Sequence, residues 1–209
     1  AVLRGTDYRL LADAPIEDLQ TVRNPDELGG TRQARIKANE SLRKISEERS
    51  RQFGRIGFMG ALDDRRQPFF EMPGKVLHLD GDPNYLKKSM QVYAQLKVPA
   101  EGVHCHESQM PHMLLRMLPQ VHPDIVVITG HDGVLKQRQD LQQLSSYKNS
   151  LNFVHAVNVA RDYERSRDSL VVVAGACQSH FEALLQAGAN FASSPGRIMI
   201  HALDPVYVA

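Results

Sequence analysis

Two short blocks carry residues able to do nucleophilic chemistry. The apolar run Asp124 to Thr129 is followed by Gly130-His131-Asp132-Gly133, and the apolar run Leu170 to Ala174 by Gly175-Ala176-Cys177-Gln178. A thiol needs a base beside it to become a thiolate at neutral pH, and an imidazole supplies one. If the two runs are neighbouring parallel strands, His131 and Cys177 emerge at the same edge of a sheet. A helix beginning near Ser179 turns its positive end toward Cys177 and favours thiolate further. The small residues before Cys177 leave room for a substrate backbone, and the N–H groups of Gly133 and Cys177 are suited to a developing oxyanion. The chemistry this set supports is acyl transfer. His131 takes the thiol proton, the sulfur attacks a carbonyl, and His131 then protonates the leaving amine. Taken singly, a cysteine after an apolar strand is usually a small buried hydrophobe, and a histidine in a Gly-rich loop a turn residue. The joint pattern, with Cys177 46 residues after His131, is more specific than either.

These residues need strands to hold them. Val76 to Leu79 reads as a strand ending in Asp80-Gly81-Asp82-Pro83, and Gly102 to His106 as a weaker one. Asp124–Thr129 and Leu170–Ala174 are fully apolar strands, with a last short strand over Phe191–Ser194. Helical spacing runs over Tyr85–Leu96, Met113–Leu118 (ending at Pro119), Asn152–Tyr163 and Phe181–Ala187, with a further helix across Ile198–His201. Strands alternating with helices imply βαβ units and a parallel sheet. Near-continuous apolar strands imply helices on both faces. The expected fold is α/β, a three-layer αβα arrangement with a mainly parallel sheet of Rossmann/flavodoxin-like topology. In such sheets ligands bind outside the carboxyl ends of the strands, where His131 and Cys177 stand.

Residues 1–73 lack this regularity and read as a mostly helical and irregular basic extension, with the α/β domain spanning 74–209. From Arg32 to Arg55 there are eight basic residues against three acidic. Thr31 is a candidate cap for a largely exposed helix there, and Gly54 to Gly74 reads as loop. The 209 residues are 42% hydrophobic and 23% charged, with net charge +1, so no global field draws the chain to nucleic acid or to an anionic membrane. No apolar run approaches the length of a membrane span. Cys105 and Cys177 are the only cysteines, too few for a disulfide framework, which points to a reducing compartment or to free thiols. The start at Ala1 without an initiator Met points to a processed or cut form, and the end at Val208-Ala209 to a truncation. Nothing in the residues sets an oligomeric state.

The two blocks resemble the signature of the caspase–gingipain–clostripain clan of cysteine peptidases, in which His-Gly follows one strand and Ala-Cys the next. Here Asp132 separates His131 from Gly133. More closely, Gly74 to Ala209 resembles the YabG family of sporulation peptidases, through GKVLHLDGDPNYL (Gly74–Leu86), DIVVITGHDG (Asp124–Gly133), NSLNFVHAVN (Asn149–Asn158) and VVVAGACQSHFEALLQAGANFASSP (Val171–Pro195). The resemblance implies a caspase-like fold and a thiol peptidase with Cys177 and His131 as its dyad. It also implies a mother-cell enzyme, cytoplasmic or associated with the spore coat, that trims spore coat and cortex-associated proteins. Cleavage after arginine is expected by resemblance to clan members. No metal or organic cofactor is required.

An arginine pocket needs a carboxylate, because the guanidinium stays charged and seeks a bidentate partner. Asp80 and Asp82, at the same sheet edge as the dyad, are candidates, and Asp204 is a further one. Asp82-Pro83 is equally ordinary turn and helix-start chemistry. In an arginine-specific peptidase the segment 32–55 takes on a second meaning, as a self-cleavage or self-inhibition element. His104, Cys105, His106, Glu107 and His112 invite a zinc reading, but in a strand His104 and His106 face opposite to Cys105, and no second ligand cluster follows. His180 is placed to line the site, and His155 reads as a helix-face residue. The alternative function is a receiver-like signalling or binding module. It shares the acidic turn Asp80–Asp82, yet Thr129 stands where a phosphoacceptor aspartate is expected. A Ser–His hydrolase ranks last, since no G-x-S-x-G elbow is present.

Overall fold

The computed structural model describes residues 1–9, 11–23, 29–60, 72–135 and 140–209. They form two compact units, one of Ala1–Thr21 with Gly74–Ala209 and the other of Val22–Pro73.

The first unit opens with a small antiparallel pair, β1 (Val2–Arg4) and β2 (Leu11–Asp13). The second unit is dominated by one helix of 32 residues, α1 (Gly29–Gly60). Thr31 lies inside this helix rather than at its cap. Residues 54–60, expected as loop, are helical, while 61–71 lie outside the described residues. Along α1, Arg43 donates through Nε to Glu47 at 2.7 Å, one turn on.

The alternating part of the chain supplies β3 (Val76–Asp80), α2 (Pro83–Gln95), β4 (Ala100–His104), α3 (Met110–Val121), β5 (Ile125–Thr129), α4 (Ser150–Tyr163), β6 (Val171–Ala174), α5 (Phe181–Ala187), β7 (Phe191–Ala192) and α6 (Asp204–Val208). The strands form one parallel sheet in the order β4-β3-β5-β6-β7. This is the flavodoxin-like order, whose direction of winding reverses between β3 and β5. The fold is thus α/β in three layers, as the alternation of patterns predicts, and is consistent with the caspase-like fold that the resemblance implies.

One face of the sheet is apolar. Leu77, Leu79, Val126, Ile128, Val172 and Ala174 pack there against Leu114 and Leu118 of α3 and Phe153 and Val157 of α4. The helix over Met113–Leu118 proves longer, running from Met110 to Val121 with Pro119 inside its last turns. Proline removes the hydrogen bond to the carbonyl four residues back. That residue, Leu115, is exposed, so solvent can take the orphaned carbonyl. The helix closes at His122, which adopts a left-handed conformation with φ 48°. The helix expected across Ile198–His201 is absent. His201 instead pairs with Tyr8 in an antiparallel bridge, and the helix begins later, at Asp204. No helix among the described residues is long and apolar enough to cross a membrane.

The opposite face carries a buried polar line. Tyr93 of α2 lies 3.2 Å from His78 Nδ1, His78 Nε2 lies 3.1 Å from Thr129 Oγ1, and Thr129 donates to Asp80 Oδ2 at 3.0 Å. Burial lowers the basicity of His78. A neutral ring with its proton on Nε2 satisfies every member of this series, since Tyr93 then donates to Nδ1 and Thr129 accepts from Nε2. The line ends on Arg9, whose guanidinium grips both oxygens of Asp80 at 3.0 and 2.7 Å, with both side chains fully buried. Burial alone would raise the Asp80 pKa, but the charge of Arg9 and the hydrogen bonds from His78 and Arg9 hold it well below the usual carboxylate range.

A depressed carboxyl stabilises the fold above its unfolded pKa of about 3.9 and loses that contribution as pH falls toward the folded value. Thermal melts between pH 2 and pH 7 are therefore expected to show an acid-side loss that flattens in Asp80→Asn. At pH 7 that variant loses about 3–5 kcal/mol, the usual cost of leaving one member of a buried pair, here Arg9, without its partner.

Candidate active site

Three strand ends meet at the reversal point of the sheet. Ile128 of β5 stands in register with Ala174 of β6. His131 and Cys177 each lie three residues beyond that pair, in the loops that leave the carboxyl ends of adjacent strands. Asp80, Gly81 and Asp82 leave β3 on the other side of β5. The turn that carries Cys177 depends on Gly175, with φ +108° and no room for a side chain, because an added Cβ would lie 2.9 Å from Leu184 and 3.2 Å from Ser193. Gln178 follows at φ 58°, so the chain reverses sharply around the sulfur.

The Cys177 thiol is covered, at 3% exposure. Ile200 donates its N–H to Sγ at 3.2 Å, and Ile200 O lies 3.9 Å from the same sulfur. Burial pushes the thiol pKa up. The backbone contact at Ile200, the charge of Arg9 and the N–H of Cys177 itself pull against that without cancelling it. Helix α5 starts at Phe181, with His180 as its cap, so the N–H reaching the sulfur from elsewhere in the chain comes from Ile200 and not from the helix. Cys105 belongs to the apolar core, and burial first, then Glu107, pushes its thiol up to about 11.

No hydrogen bond joins His131 to Cys177. The imidazole lies between two carboxylates, with Nε2 3.6 Å from Asp82 Oδ2 and Nδ1 3.9 Å from Glu107 Oε1. Tyr85 of α2 packs its ring 5.8 Å from the imidazole centroid. Burial lowers the His131 pKa, with Asp82 and Glu107 working in the opposite direction. These shifts favour a neutral ring at His131 and a protonated thiol at Cys177 at neutral pH. Catalytic contacts are often loose in the unliganded state and tighten on substrate.

Two residues outside the expected set hold this geometry. Glu107 is buried just after β4 and accepts the His131 N–H at 2.8 Å. An added Cβ at Gly81 or Gly130 would meet Glu107 Oε1 at 2.2 and 2.6 Å, so both loops close on this carboxylate only because glycine stands at each point. Asp132 accepts the N–H groups of Gly133 (2.9 Å) and Asn149 (2.8 Å) through Oδ1, and the hydroxyls of Ser150 and Ser179 (2.9 Å) through Oδ2. Burial raises its pKa, against the hydrogen bonds from Ser150, Asn149, Gly133 and Ser179. Ser179 Oγ in turn accepts the Ala176 N–H, so one carboxylate fastens the His131 loop to the Cys177 loop. The Gly133 N–H expected for an oxyanion is engaged here with Asp132.

The three carboxylates expected for an arginine pocket have separate fates. Asp80 is filled by Arg9, which also donates to Ala202 O at 3.1 Å and lies 4.9 Å from the Tyr85 ring centroid. Asp82 caps α2 through Oδ1 and has Arg4 3.0 Å from Oδ2. Asp204 accepts the His201 N–H at 2.8 Å at the exposed start of α6. The segment bearing Arg9 is extended and pairs antiparallel with 200–202, through Arg9 N–H to Ile200 O (3.2 Å) and Ala202 N–H to Asp7 O (2.8 Å). The Tyr85 hydroxyl is within hydrogen-bonding distance of Gly5 O (2.6 Å) and Tyr8 O (2.7 Å). His104, His106 and His112 are exposed and do not converge with Cys105, and no group of three or more His, Cys, Asp or Glu among the described residues is arranged to hold a metal. His180 caps α5, and His155 is exposed on α4.

The family model of the YabG peptidase U57 matches residues 1–209, the whole chain. This chain belongs to the YabG peptidase family. It is 44% identical over 214 residues to the sporulation-specific protease YabG of Bacillus subtilis (strain 168), covering 100% of the chain and 72% of that protein. No solved structure matches the chain. Membership makes the chain a protease with a role in sporulation and removes the receiver-like alternative, although the order of the sheet is one that receivers share.

The fit of Glu107 against glycine is directly testable. Gly130→Ala drives a methyl into a buried carboxylate and is expected to cost about 1–3 kcal/mol in chemical denaturation, as overpacked sites do. A loss below about 0.5 kcal/mol would show that Glu107 moves freely and does not hold the loop.

Proposed function

We propose that the chain is a cysteine endopeptidase in which Cys177 is the nucleophile and His131 its general base. The observation that carries this reading is the placement of the two residues, each three positions past a register pair at the carboxyl ends of adjacent strands, in a chain of a peptidase family. His131 accepts the thiol proton, the sulfur attacks the scissile carbonyl, His131 protonates the leaving amine, and water releases the acyl group. The Cys177 N–H is the first oxyanion donor, and the Gly133 N–H joins it only on leaving Asp132. The substrates are spore coat and cortex-associated proteins, and the site of action is the mother cell or the forming coat.

The reading extends to cleavage after arginine, with Asp80 as the selecting carboxylate. What supports it is that Asp80 already holds a guanidinium in bidentate geometry, from an extended segment paired beside Cys177. On this reading Arg9 stands where a substrate arginine binds and must leave before one enters. Asp204 remains the second candidate. The Arg-rich segment 32–55 is a site of self-cleavage or self-inhibition. The α/β domain from Gly74 onward is the catalytic body, and Ala1–Thr21 packs with it.

Fluorogenic peptides differing only in the residue before the scissile bond test both levels. Cys177→Ala and His131→Ala are each expected to lower kcat/KM at least about 1,000-fold, and residual activity near wild type in either discards the dyad. Arg9→Met is expected to raise cleavage of arginine peptides several-fold, and agmatine at millimolar concentration is expected to raise the Tm of that variant but not of the wild type. A folded Arg9→Met protein with unchanged cleavage and no agmatine response removes Asp80 from substrate recognition while leaving the dyad intact.

A further inference from the structure

We propose that Asp82 is the positioning residue of His131, holding the imidazole with its proton on Nε2 and its lone pair on Nδ1. The inference rests on His131 being the general base, and it assigns Asp82 a task other than binding substrate.

The geometry comes from the start of α2. Asp82 is fully buried, and its Oδ1 accepts the N–H groups of Asn84 (2.8 Å) and Tyr85 (3.2 Å), an N-cap that fixes the plane of the carboxylate. Oδ2 is then aimed away from the helix. It takes no aligned hydrogen bond, its one close cation being Arg4 at 3.0 Å, and the buried Nε2 of His131, 3.6 Å away, has no hydrogen-bond partner. An unsatisfied ring nitrogen and a carboxylate oxygen with acceptor capacity to spare, facing each other at this distance, become a hydrogen bond on a shift of a few tenths of an ångström.

Each charged group around the ring has a distinct place. Glu107 already accepts the His131 main-chain N–H, and its Oε1 lies 3.9 Å from Nδ1, beyond hydrogen-bond distance. It therefore faces the nitrogen that gains the thiol proton and favours the imidazolium once formed. Arg4 meets Asp82 Oδ2 from the solvent side at 3.0 Å, with half of its side chain exposed. Arg9 and Asp80 act on His131 only through their fields, and Tyr85 only by packing. Asp82 is thus the one group aimed at Nε2. A donor at Nε2 leaves Nδ1 as the only nitrogen able to accept a proton.

Asp82→Asn separates this role from helix capping, because asparagine caps as well as aspartate does. The amide oxygen must stay on the helix N–H groups, so its NH2 faces Nε2 and forces the opposite tautomer. Nitrogen-15 NMR on histidine-labelled protein is expected to show His131 protonated on Nε2 in the wild type above its pKa and on Nδ1 in Asp82→Asn, with Tm little changed. In peptide cleavage, kcat is expected to fall at least about 100-fold with KM within about twofold, the pattern of a base held in the wrong tautomer. Asp82→Ala, which imposes no tautomer, is expected to lose less. A wild-type tautomer on Nδ1, or kcat unchanged in Asp82→Asn while His131→Ala is inactive, overturns the assignment. Full activity in His131→Ala defeats the dyad itself, a separate result.

Discussion

The whole site hangs on the carboxylate of Asp132. It lies between the loop after β5 and the loop after β6, and its two oxygens take four hydrogen bonds that reach Gly133, Asn149, Ser150 and Ser179. Sheet hydrogen bonds set the level of the two strands but stop at their ends. Beyond those ends the backbone has no ladder, and the distance from imidazole to thiol is set by whatever ties one loop to the other. A half-buried carboxylate is suited to this, because acceptor sites turned away from water are costly to leave empty. The loop carrying His131 is also pinned from its other flank by Glu107, so the histidine backbone is held from both sides.

Around this fastening, four acids, three of them buried and Asp132 half-buried, divide the work of a crowded sheet edge. Asp132 joins loops, Glu107 holds the His131 main chain, Asp82 starts a helix and faces the imidazole, and Asp80 closes the polar line that crosses the sheet from Tyr93. Concentrating so much negative charge in one place is tolerable only with compensation, and the N-terminal segment provides it through Arg4 and Arg9. The first residues of the chain are therefore electrostatic partners of the carboxyl edge of the sheet, separated from it in sequence by the whole of the second unit.

Much of the fold was legible because the apolar runs at β3, β5 and β6 are short, continuous and bounded by turn residues. Cys177 and His131 stood out because the same rule that reads a buried strand also says where its carboxyl end lies. The rest depended on contacts the sequence does not advertise. Arg9 meets Asp80 across 71 residues, and nothing in an isolated arginine near the start of a chain announces a buried partner. Glu107 sat in a cluster that read as poor zinc chemistry, and the sign of its role lay instead in Gly81 and Gly130, two glycines whose need becomes visible only once the carboxylate between them is seen. Asp132 looked like an interruption between histidine and glycine and proved to be the connector. Ile198 to His201 has helical spacing, yet it is extended, because pairing with residues 7–9 outweighs local preference.

The cover over Cys177 has a consequence for the chemistry of oxygen. Peroxide attacks thiolate far faster than thiol, and only where it can approach the sulfur. In this conformation the sulfur is protonated, bonded to a backbone N–H and nearly sealed from solvent. Oxidation of this sulfur therefore needs its cover to be displaced first, so the packing of residue 200 over Cys177 is also a shield against peroxide.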